Sequence, residues 1–455
     1  MYQTYTTKEK IKQIIILLLP ILITQLGMFS MVFFNTIMSG KYNSTDLAGV
    51  AIGSSIWNAI FTGLSGILLA VSPIAAQRFG EKKGREVASI LSHGIYLAMM
   101  IASIVIILGI FLLQPLLQVM NLPAGVHKTA YGYLAGLSFG IIPLFIFNVL
   151  RSFIYALGKT RIVMYILLIS LPVNFFLNYV LIFGYWGFPE LGGAGAGYAT
   201  SATYFLIAGL TGILIITQKP FSAYVGTEYF KELCGGRFKE ILIIGVPMGL
   251  SIFFETSMFA VVTILISKFN ITTIAAYQSA LNIVSFLYMI PMSISMAQTV
   301  LVGYEVGAGR FEDAKAYSWL GIYLSILIAL VAGLLVVLFR FDVAGLYSNE
   351  PAVIKLTGQF LIYALFFMIA DSIQVTAIAA LRGYKDVNVS FVVTLIAYWL
   401  ICLPTGYLLA HYTSLGAPGY WIGLTAGLLA AGLFLSIRLI YIQKKRFSVK
   451  LAKIM

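Results

Sequence analysis

The chain alternates between long apolar stretches and short breaks that are charged or rich in glycine and proline. A helix needs about 20 apolar residues to cross a bilayer, and the stretches reach that length. They lie at residues 14–38, 47–77, 90–113, 131–154, 162–183, 195–217, 240–267, 274–303, 316–339, 356–381, 388–410 and 417–442. The pattern therefore predicts an all-α integral membrane protein with twelve transmembrane helices.

Composition supports a membrane protein and changes the interpretation of the charge. Of 455 residues, 60% are hydrophobic and 10% are charged, whereas soluble domains carry about 25% charged residues. A net charge of +13 would suit nucleic acid, but the charges lie in short loops rather than on one basic face. We therefore expect the lipid bilayer to surround the chain, and we expect no nucleic-acid partner.

The charged loops predict the orientation. The first apolar run is longer than a signal-peptide core and lacks a small-x-small exit, so we expect it to be retained as a span. With both termini on one side of the membrane, that side holds every Lys and Arg residue but five. The five exceptions are Lys41, Lys128, Lys268, Arg340 and Lys355. By the positive-inside rule, both termini are predicted to be cytoplasmic in a multi-pass protein of the cell membrane.

The two halves of the chain resemble each other. An offset of 227 residues pairs Pro20 with Pro247 and Gly80 with Gly307. Six spans per half is an even number, so the halves should share one orientation and be related by an axis along the membrane normal. We predict three regions, namely an N-terminal six-helix lobe (1–218), a cytoplasmic linker (219–239) and a C-terminal six-helix lobe (240–455). Two such bundles around a cleft suit alternating access better than a pore.

Two acidic residues lie deep in apolar runs, Glu255 in the seventh and Asp371 in the tenth. One acid at a helix centre costs about 2.5–3.5 kcal/mol on insertion scales, and no Lys or Arg lies equally deep in the sequence. A proton or Na⁺ would compensate the charge, and the membrane potential attracts either ion inward. The pair is therefore the predicted cation-coupling site, with Na⁺ binding by Glu255 and Asp371 as one form of it. No other cofactor is expected.

Neighbouring side chains extend this candidate site. Phe259 lies one helical turn after Glu255 and could present its ring face to a cation, although an ordinary packing role is an alternative. Tyr288 could donate its hydroxyl to the acids. Gln278 and Asn282, also in the eighth run, are grouped with them as supporting residues.

The first half breaks the symmetry. The repeat places Met28 opposite Glu255, and Ile146 opposite Asp371. Neutral amides occupy its apolar runs instead. Asn35, Asn174 and Asn178 form the predicted polar cluster of this half, and the last two share one helix face because they are four residues apart.

Several stretches resemble the MATE multidrug exporters, in the NorM-type branch, and together they span nearly the full length. They are "NTIMSG" (35–40), "PVNFFLNYVLIFG" (172–184), "LGGAGAGYATS" (191–201), "FFETSMFA" (253–260), "DSIQVTAIAALRGYKD" (371–386) and "LGAPGYWIGLTAG" (415–427). The resemblance implies twelve helices in two six-helix lobes that form a V, and export of organic cations driven by a cation gradient. The resemblance also implies that Glu255, Asp371, Phe259 and Tyr288, which match the family's motifs, bind the cation and the substrate.

Two positions depart from the family's pattern. Its usual acid in the first helix falls on Asn35, which argues against a proton switch in the first lobe. Phe367 stands where some relatives carry a tyrosine, so one oxygen near the cation site is absent.

The leading hypothesis is a monomeric secondary antiporter, not an enzyme, that exports cationic drugs and dyes in exchange for Na⁺ or H⁺. The first alternative is a flippase for lipid-linked oligosaccharides or polysaccharides. It would favour a cationic cavity, whereas this sequence is expected to offer two buried acids and no buried base. The second is a membrane-embedded transferase or hydrolase, which would need a nucleophile–base pair or metal ligands that the sequence does not offer.

Overall fold

The computed structural model describes residues 3–226 and 234–454, and all regular structure in these two ranges is helical. Residues 227–233 of the predicted linker, which include Lys231, lie outside the described residues. Within the described part of the chain, eleven helices are long and apolar enough to cross a membrane, and one bent pair of helices makes a twelfth span. The prediction of an all-α membrane protein is confirmed.

Each predicted apolar run falls on one of these spans. In order they are Thr7–Tyr42, Ser44–Gly80, Gly84–Val119, Ala124–Ser138 with Ile141–Ala156, Thr160–Phe183, Gly193–Thr217, Gly235–Ile266, Ile271–Gly307, Phe311–Leu338, Pro351–Gly383, Val387–Tyr412 and Pro418–Phe447. We refer to them as the first to twelfth spans. The two helices of the fourth span are bent by 52°. The second span turns at residues 69–70, between helices Ser44–Leu68 and Val71–Gly80.

Three short helices and one long tail complete the described fold. The short helices are Tyr185–Gly187, Phe221–Tyr224 and Arg340–Gly345. The twelfth span belongs to a helix that continues to Ile454. Many large apolar side chains on the spans are exposed, Ile110 by 72% and Phe111 by 71%. A chain in water would bury them, whereas lipid solvates them without cost.

The described residues group into two compact units. The first contains residues 19–249, and the second contains residues 250–454 together with residues 3–18. Each unit thus includes the beginning of a helix whose remainder belongs to the other unit, and both divisions fall close to the repeat-related Pro20 and Pro247. In the second unit, the Lys10 ammonium pairs with Asp313 at 2.8 Å.

Glycines allow close packing in the first unit and position its polar residues. A Cβ atom at Gly197 would lie 2.2 Å from the carbonyl oxygen of Tyr133, and one at Gly195 would lie 2.5 Å from that of Leu181. Only glycine permits these contacts, which explains the "GAGAG" sequence at the start of the sixth span. The sixth span therefore lies directly against the fourth and fifth spans, and this brings Thr200 toward the predicted asparagine cluster.

The tenth span lies at the centre of the second unit. Of its most apolar 18-residue window, 78% is buried, the largest share among the spans described. Phe360, Phe367 and Trp421 are among the side chains that form the core around it. Asp371 therefore lies on the helix that the rest of this unit surrounds.

The eleventh span contains a π-helical segment, Ala397–Cys402. An inserted π turn changes which residues face inward and often occurs at functional sites. The segment packs on glycines of the twelfth span, since a Cβ atom at Gly427 would lie 2.5 Å from the Cβ atom of Cys402. Tyr398, the second residue of the segment, is completely buried.

Candidate functional site

The second unit holds both predicted acids. Asp371 is only 5% exposed, and Glu255 on the seventh span is half-buried. Asp371 lines a mainly apolar cavity between the eighth, ninth and tenth spans, together with Tyr288, Pro291, Met368 and Ser372. A carboxylate in an apolar wall interacts strongly with a nearby cation, because few surrounding dipoles screen its charge.

The structure brings Glu255, Asp371 and Tyr288 together. The two carboxylates interact electrostatically with each other, and the Tyr288 hydroxyl interacts with both. Across the described ranges, no ion pair within 4.0 Å involves either acid. Two like charges so placed repel each other in a medium of low dielectric, so a bound cation or a proton would stabilise the pair.

Phe259 belongs to an aromatic cluster beside the acids. Its ring meets Phe367 edge to face with centroids 6.1 Å apart, and Phe367 meets Trp421 at 5.6 Å. Phe259 therefore packs on the core while remaining half-buried. Gln278 is half-buried and Asn282 is exposed. No hydrogen bond in the described part of the chain joins either amide to the acids, so their supporting role stays a prediction.

Two residues near the acids were not predicted from the sequence. Tyr398 interacts electrostatically with both carboxylates, and its buried hydroxyl has no hydrogen-bond partner among the described residues. An unpaired buried hydroxyl is uncommon and requires an explanation. A tyrosine is common in an apolar run, so the sequence did not indicate a role for Tyr398. The π turn, which directs the side chain inward, is visible only in the structure.

Arg382 is the second missed residue, and it corrects an expectation. The guanidinium interacts electrostatically with Glu255, so the expectation of acids without any nearby base is wrong. Arg382 lies in the last turn of the tenth span. Helical side chains point toward the N-terminus of their helix, so a residue at the end of the span directs its charge back toward the acids. The tenth apolar run predicted from the sequence ends at residue 381, so Arg382 falls just outside it, whereas in the structure the helix continues to Gly383.

The three asparagines of the first unit form one hydrogen-bonded cluster. Asn178 Nδ2 donates to Asn35 Oδ1 at 2.8 Å, and Asn35 Nδ2 donates to Thr200 Oγ1 at 2.8 Å. Asn174 Nδ2 donates to Thr203 Oγ1 at 3.1 Å. All three asparagines are at most 3% exposed. The structure therefore brings together the three asparagines of the predicted cluster, and their function stays a prediction.

A second buried base lies in the first unit. Arg151, on the fourth span, is 7% exposed. Its Nη2 donates to Asn148 Oδ1 at 2.8 Å, and its Nη1 donates to Met28 Sδ at 3.3 Å. This also contradicts the expectation that no base is buried, on which the argument against a flippase rested. Arg151 lies near the end of an apolar run, and its sequence position alone did not show that the side chain turns inward.

One protein-family profile matches the two halves of the chain separately. The profile of the MatE family matches residues 20–180 and again residues 247–408. The chain belongs to the MatE family. The two matches begin at Pro20 and Pro247, the positions paired by the repeat offset. The MatE family consists of membrane transporters, not enzymes.

Close relatives cover the whole chain. The chain is 50% identical to a "Probable multidrug resistance protein NorM" of Oceanobacillus iheyensis, over 98% of this chain and 100% of the relative. Proteins with the same name from Halalkalibacterium halodurans and Bacillus subtilis are 49% and 47% identical, and each alignment covers at least 97% of both chains. The resemblance to the NorM-type branch is confirmed.

Solved structures of MatE proteins share the fold. A crystal structure of MATE in the bent conformation superposes with a TM-score of 0.88 at 19% identity, over 98% of this chain and 100% of that one. A eukaryotic MATE transporter superposes with a TM-score of 0.86 at 20% identity, over 97% and 98% of the two chains. At such identities the likeness concerns the fold alone.

Proposed function

We propose that this MatE protein is a secondary multidrug antiporter that exports organic cations in exchange for Na⁺ or H⁺. It would lie in the cell membrane as a monomer, with both termini in the cytoplasm. The names of its close relatives support multidrug export. The cation specificity and the coupling rest on one observation, the meeting of Glu255 and Asp371 inside the second unit.

The two acids explain coupling by competition for one negative site. A Na⁺ ion or a proton binds the pair from outside, and an organic cation binds it from inside. Each cation relieves the repulsion between the carboxylates, so binding of one disfavours the other. Met368 and Pro291, which line a small cavity together with Asp371, would contact the hydrocarbon part of an organic cation.

Neutral oxygen atoms would complete Na⁺ coordination. Hard cations prefer oxygen ligands, and two carboxylates provide only part of a coordination shell. Tyr288 and Ser372 line the cavity that contains Asp371, and the unpaired Tyr398 hydroxyl lies within electrostatic range of both acids. Phe259 and Phe367 form the aromatic side of the site and contribute no oxygen. Their rings favour an organic cation over water.

The asparagine cluster has a supporting role in this proposal. Asn35, Asn174 and Asn178 are mutually bonded and cannot exchange a proton at physiological pH. They hold the first, fifth and sixth spans together through polar contacts. Coupling would therefore lie wholly in the second half of the chain.

Uptake into inverted membrane vesicles tests the proposal. A lipophilic cationic dye is added, and Na⁺ and pH gradients are imposed one at a time. We expect one of the gradients to drive uptake in the wild type. Glu255→Gln and Asp371→Asn should abolish gradient-driven uptake at normal expression, since each removes a coupling charge and also relieves its insertion cost.

Charge-retaining variants provide the matched controls. Glu255→Asp and Asp371→Glu keep the negative charge and should retain part of the coupled uptake. Wild-type activity in both neutral variants would show that these acids do not couple transport. Equal loss in neutral and charged variants would indicate a packing defect instead.

A further inference from the structure

The starts of the first and seventh spans are each held by an ion pair, and the two ion pairs lie at repeat-related positions. The Lys10 ammonium pairs with Asp313 at 2.8 Å, and the Arg237 guanidinium pairs with Glu86 at 3.2 Å. The repeat offset of 227 residues relates Lys10 to Arg237, and Glu86 to Asp313. The first pair lies within the second unit and the second pair lies within the first unit. The chain therefore contains the same contact twice, once in each unit.

Neighbouring positions have diverged between the two halves. Arg78 corresponds to Glu305, and Glu240 corresponds to Gln13. The sign of the charge is thus reversed at one position and the charge is lost at the other, whereas both positions of the ion pair keep their signs. A contact that is retained while its surroundings diverge indicates a role in both halves.

Each ion pair holds a helix start in one unit while the rest of that helix belongs to the other unit. Residues 3–18 of the chain group with the second unit, and residues 235–249 of the seventh span group with the first. Movement of one unit relative to the other must therefore bend these helices or release their starts. An ion pair suits repeated release because water solvates both charges once they separate, whereas an apolar contact loses free energy when water reaches it.

The ion pair of the first unit belongs to a closed ring of charges. Arg237 also pairs with Glu240 at 3.1 Å, and Glu240 pairs with Arg78 at 3.1 Å. Arg78 completes the ring by pairing with Glu86 at 3.1 Å. The seventh span contributes both Arg237 and Glu240, so its release would break two ion pairs at once. Charges that form a network hold more firmly than an isolated pair.

The corresponding ring is open in the second unit. Glu305 takes the place of Arg78, and Gln13 takes the place of Glu240. A carboxylate and a neutral amide cannot form an ion pair. Glu305 is buried and pairs with Arg310 at 2.5 Å instead. Within the part of the chain that the structure describes, the first span therefore has no second ionic contact at this position.

The start of the first span is held more weakly as a result. Among the described residues, Lys10–Asp313 is the only ion pair that joins it to the rest of the second unit. Neutral hydrogen bonds also join Tyr317 to Gln13 and to Thr4, but such bonds are about half as strong as charge-assisted ones. The Lys10 side chain is only 8% exposed. Its burial does not make the pair firmer, because lost hydration offsets much of the attraction.

We propose that the two ion pairs are latches of unequal strength, and that the Lys10–Asp313 latch opens during the transport cycle while the Arg237–Glu86 latch stays closed. Opening frees the start of the first span from the second unit and brings the Lys10 ammonium into water. The start of the seventh span moves with the first unit throughout. Lys10 and Asp313 are then positioning residues that touch neither the drug nor the coupling ion. The inference requires only that the protein is a transporter.

Distances between spin labels in the purified full-length protein in lipid nanodiscs test the proposal. One label pair replaces Lys8 and Glu312, and the matched pair replaces Gly235 and Arg85, which the repeat offset relates to the first pair. All four positions are exposed and adjoin a latch without forming it. A Cβ atom added at Gly235 meets no atom within 4 Å. The exposed native cysteine, Cys234, is replaced by Ala, and the other cysteine is buried.

Electron paramagnetic resonance is measured at high and low pH, with and without Na⁺. We expect two distances for the Lys8–Glu312 labels, with populations that change with the conditions, and one unchanged distance for the Gly235–Arg85 labels. A single unchanged distance for the first label pair overturns the proposal. A change of equal size in both label pairs overturns it as well, because the two latches would then be equivalent.

Substitutions in the latches connect the distances to the ion pairs. Asp313→Asn is nearly isosteric and should increase the population with the longer distance about two- to fivefold, the effect of one partly exposed ion pair. Lys10→Gln removes the same pair from the other side and should have the same effect, whereas Lys10→Arg keeps the charge and should resemble the wild type. Glu86→Gln is the matched control and should leave the second label pair at one distance, because another pair of the ring still holds the seventh span. Populations that none of these variants changes would contradict a latch.

The same cysteine pairs also provide a functional test. A reducible thiol crosslinker between positions 8 and 312 should stop dye uptake into vesicles without preventing dye binding, and reduction should restore uptake. The same crosslinker between positions 235 and 85 should leave uptake unchanged. Uptake that continues with the first crosslink, or stops with the second, overturns the proposal. The distance measurement needs neither an ion gradient nor a transported dye, so failure of the antiport proposal would leave its result intact.

Discussion

Replacing Asn35 separates a structural role of the first half from a coupling role. Asn35→Ala removes two hydrogen bonds of 2.8 Å, one donated to Thr200 and one accepted from Asn178, and also a side-chain hydrogen bond with the Tyr133 hydroxyl. The variant introduces no charge. We expect it to retain ion-driven export, because the acids of the second half are unaffected.

The structure limits the magnitude of this change. Thr200 Oγ1 still donates to the Ala196 carbonyl at 2.7 Å, and Asn178 Nδ2 still donates to the Asn174 carbonyl at 2.9 Å. Neither donor is therefore left unpaired. The two bonds of 2.8 Å, at about 0.5–1.5 kcal/mol each, contribute about 1–3 kcal/mol to the expected loss of stability, and the loss of the Tyr133 contact adds to it. An effect on substrate affinity should be about tenfold or less, the equivalent of about 1.4 kcal/mol.

Vesicle uptake and thermal melting together provide the assay. Wild type, Asn35→Ala and Glu255→Gln are compared under one ion gradient, and melting in detergent reports stability. For Asn35→Ala we expect a lower melting temperature and preserved ion dependence of uptake. For Glu255→Gln we expect an unchanged or higher melting temperature and loss of ion-dependent uptake. Asn35→Asp should add a new pH dependence to drug binding, because it introduces a titratable group into the cluster.

The opposite pattern would refute the reasoning. If Asn35→Ala abolishes coupling at normal expression while Glu255→Gln remains coupled, the ion is carried by the first half without an acid. The asparagine cluster would then be the coupling site, and the acids of the second half would serve substrate binding alone.

Three further predictions address the fold and the second-half site. Tyr398→Phe should leave the melting temperature in a Na⁺-free buffer unchanged and reduce the stabilisation by Na⁺, because the hydroxyl has no hydrogen-bond partner among the described residues. Equal stabilisation of the wild type and the variant by Na⁺ would show that Tyr398 does not bind the ion. Arg382→Gln should raise the apparent affinity for the coupling cation about two- to tenfold by removing a repulsive charge near Glu255, and an unchanged ion dependence of uptake would contradict this. Gly197→Ala should destabilise the protein by about 1–3 kcal/mol through overpacking. The control Gly209→Ala should not, because no atom lies within 4 Å of its added Cβ, and equal melting temperatures of the two variants would argue against the close approach at Gly197.

Much of the site was predictable because charge in an apolar run is conspicuous. Lipid does not solvate a carboxylate, so acids are rare far from a loop. Glu255 and Asp371 are therefore easy to recognise in the sequence. The grouping of Asn35, Asn174 and Asn178 followed in part from helical spacing. Tyr398 and the direction of Arg151 were not predictable in this way, because an aromatic residue or an arginine near a helix end has many ordinary roles.

The class of fold, the number of spans and the internal repeat could all be predicted from the amino-acid sequence. These properties depend on the length and spacing of apolar runs, and the bilayer imposes the same requirement on every run. Which polar groups meet depends instead on how the helices pack in three dimensions. The bend of the fourth span, the π turn at Ala397–Cys402 and the glycine contacts of the sixth span each rotate or displace a helix by local packing. Contacts between distant helices depend on such displacements, so Arg151 reaches Met28, and Arg382 approaches Glu255, for reasons that no single run of residues contains.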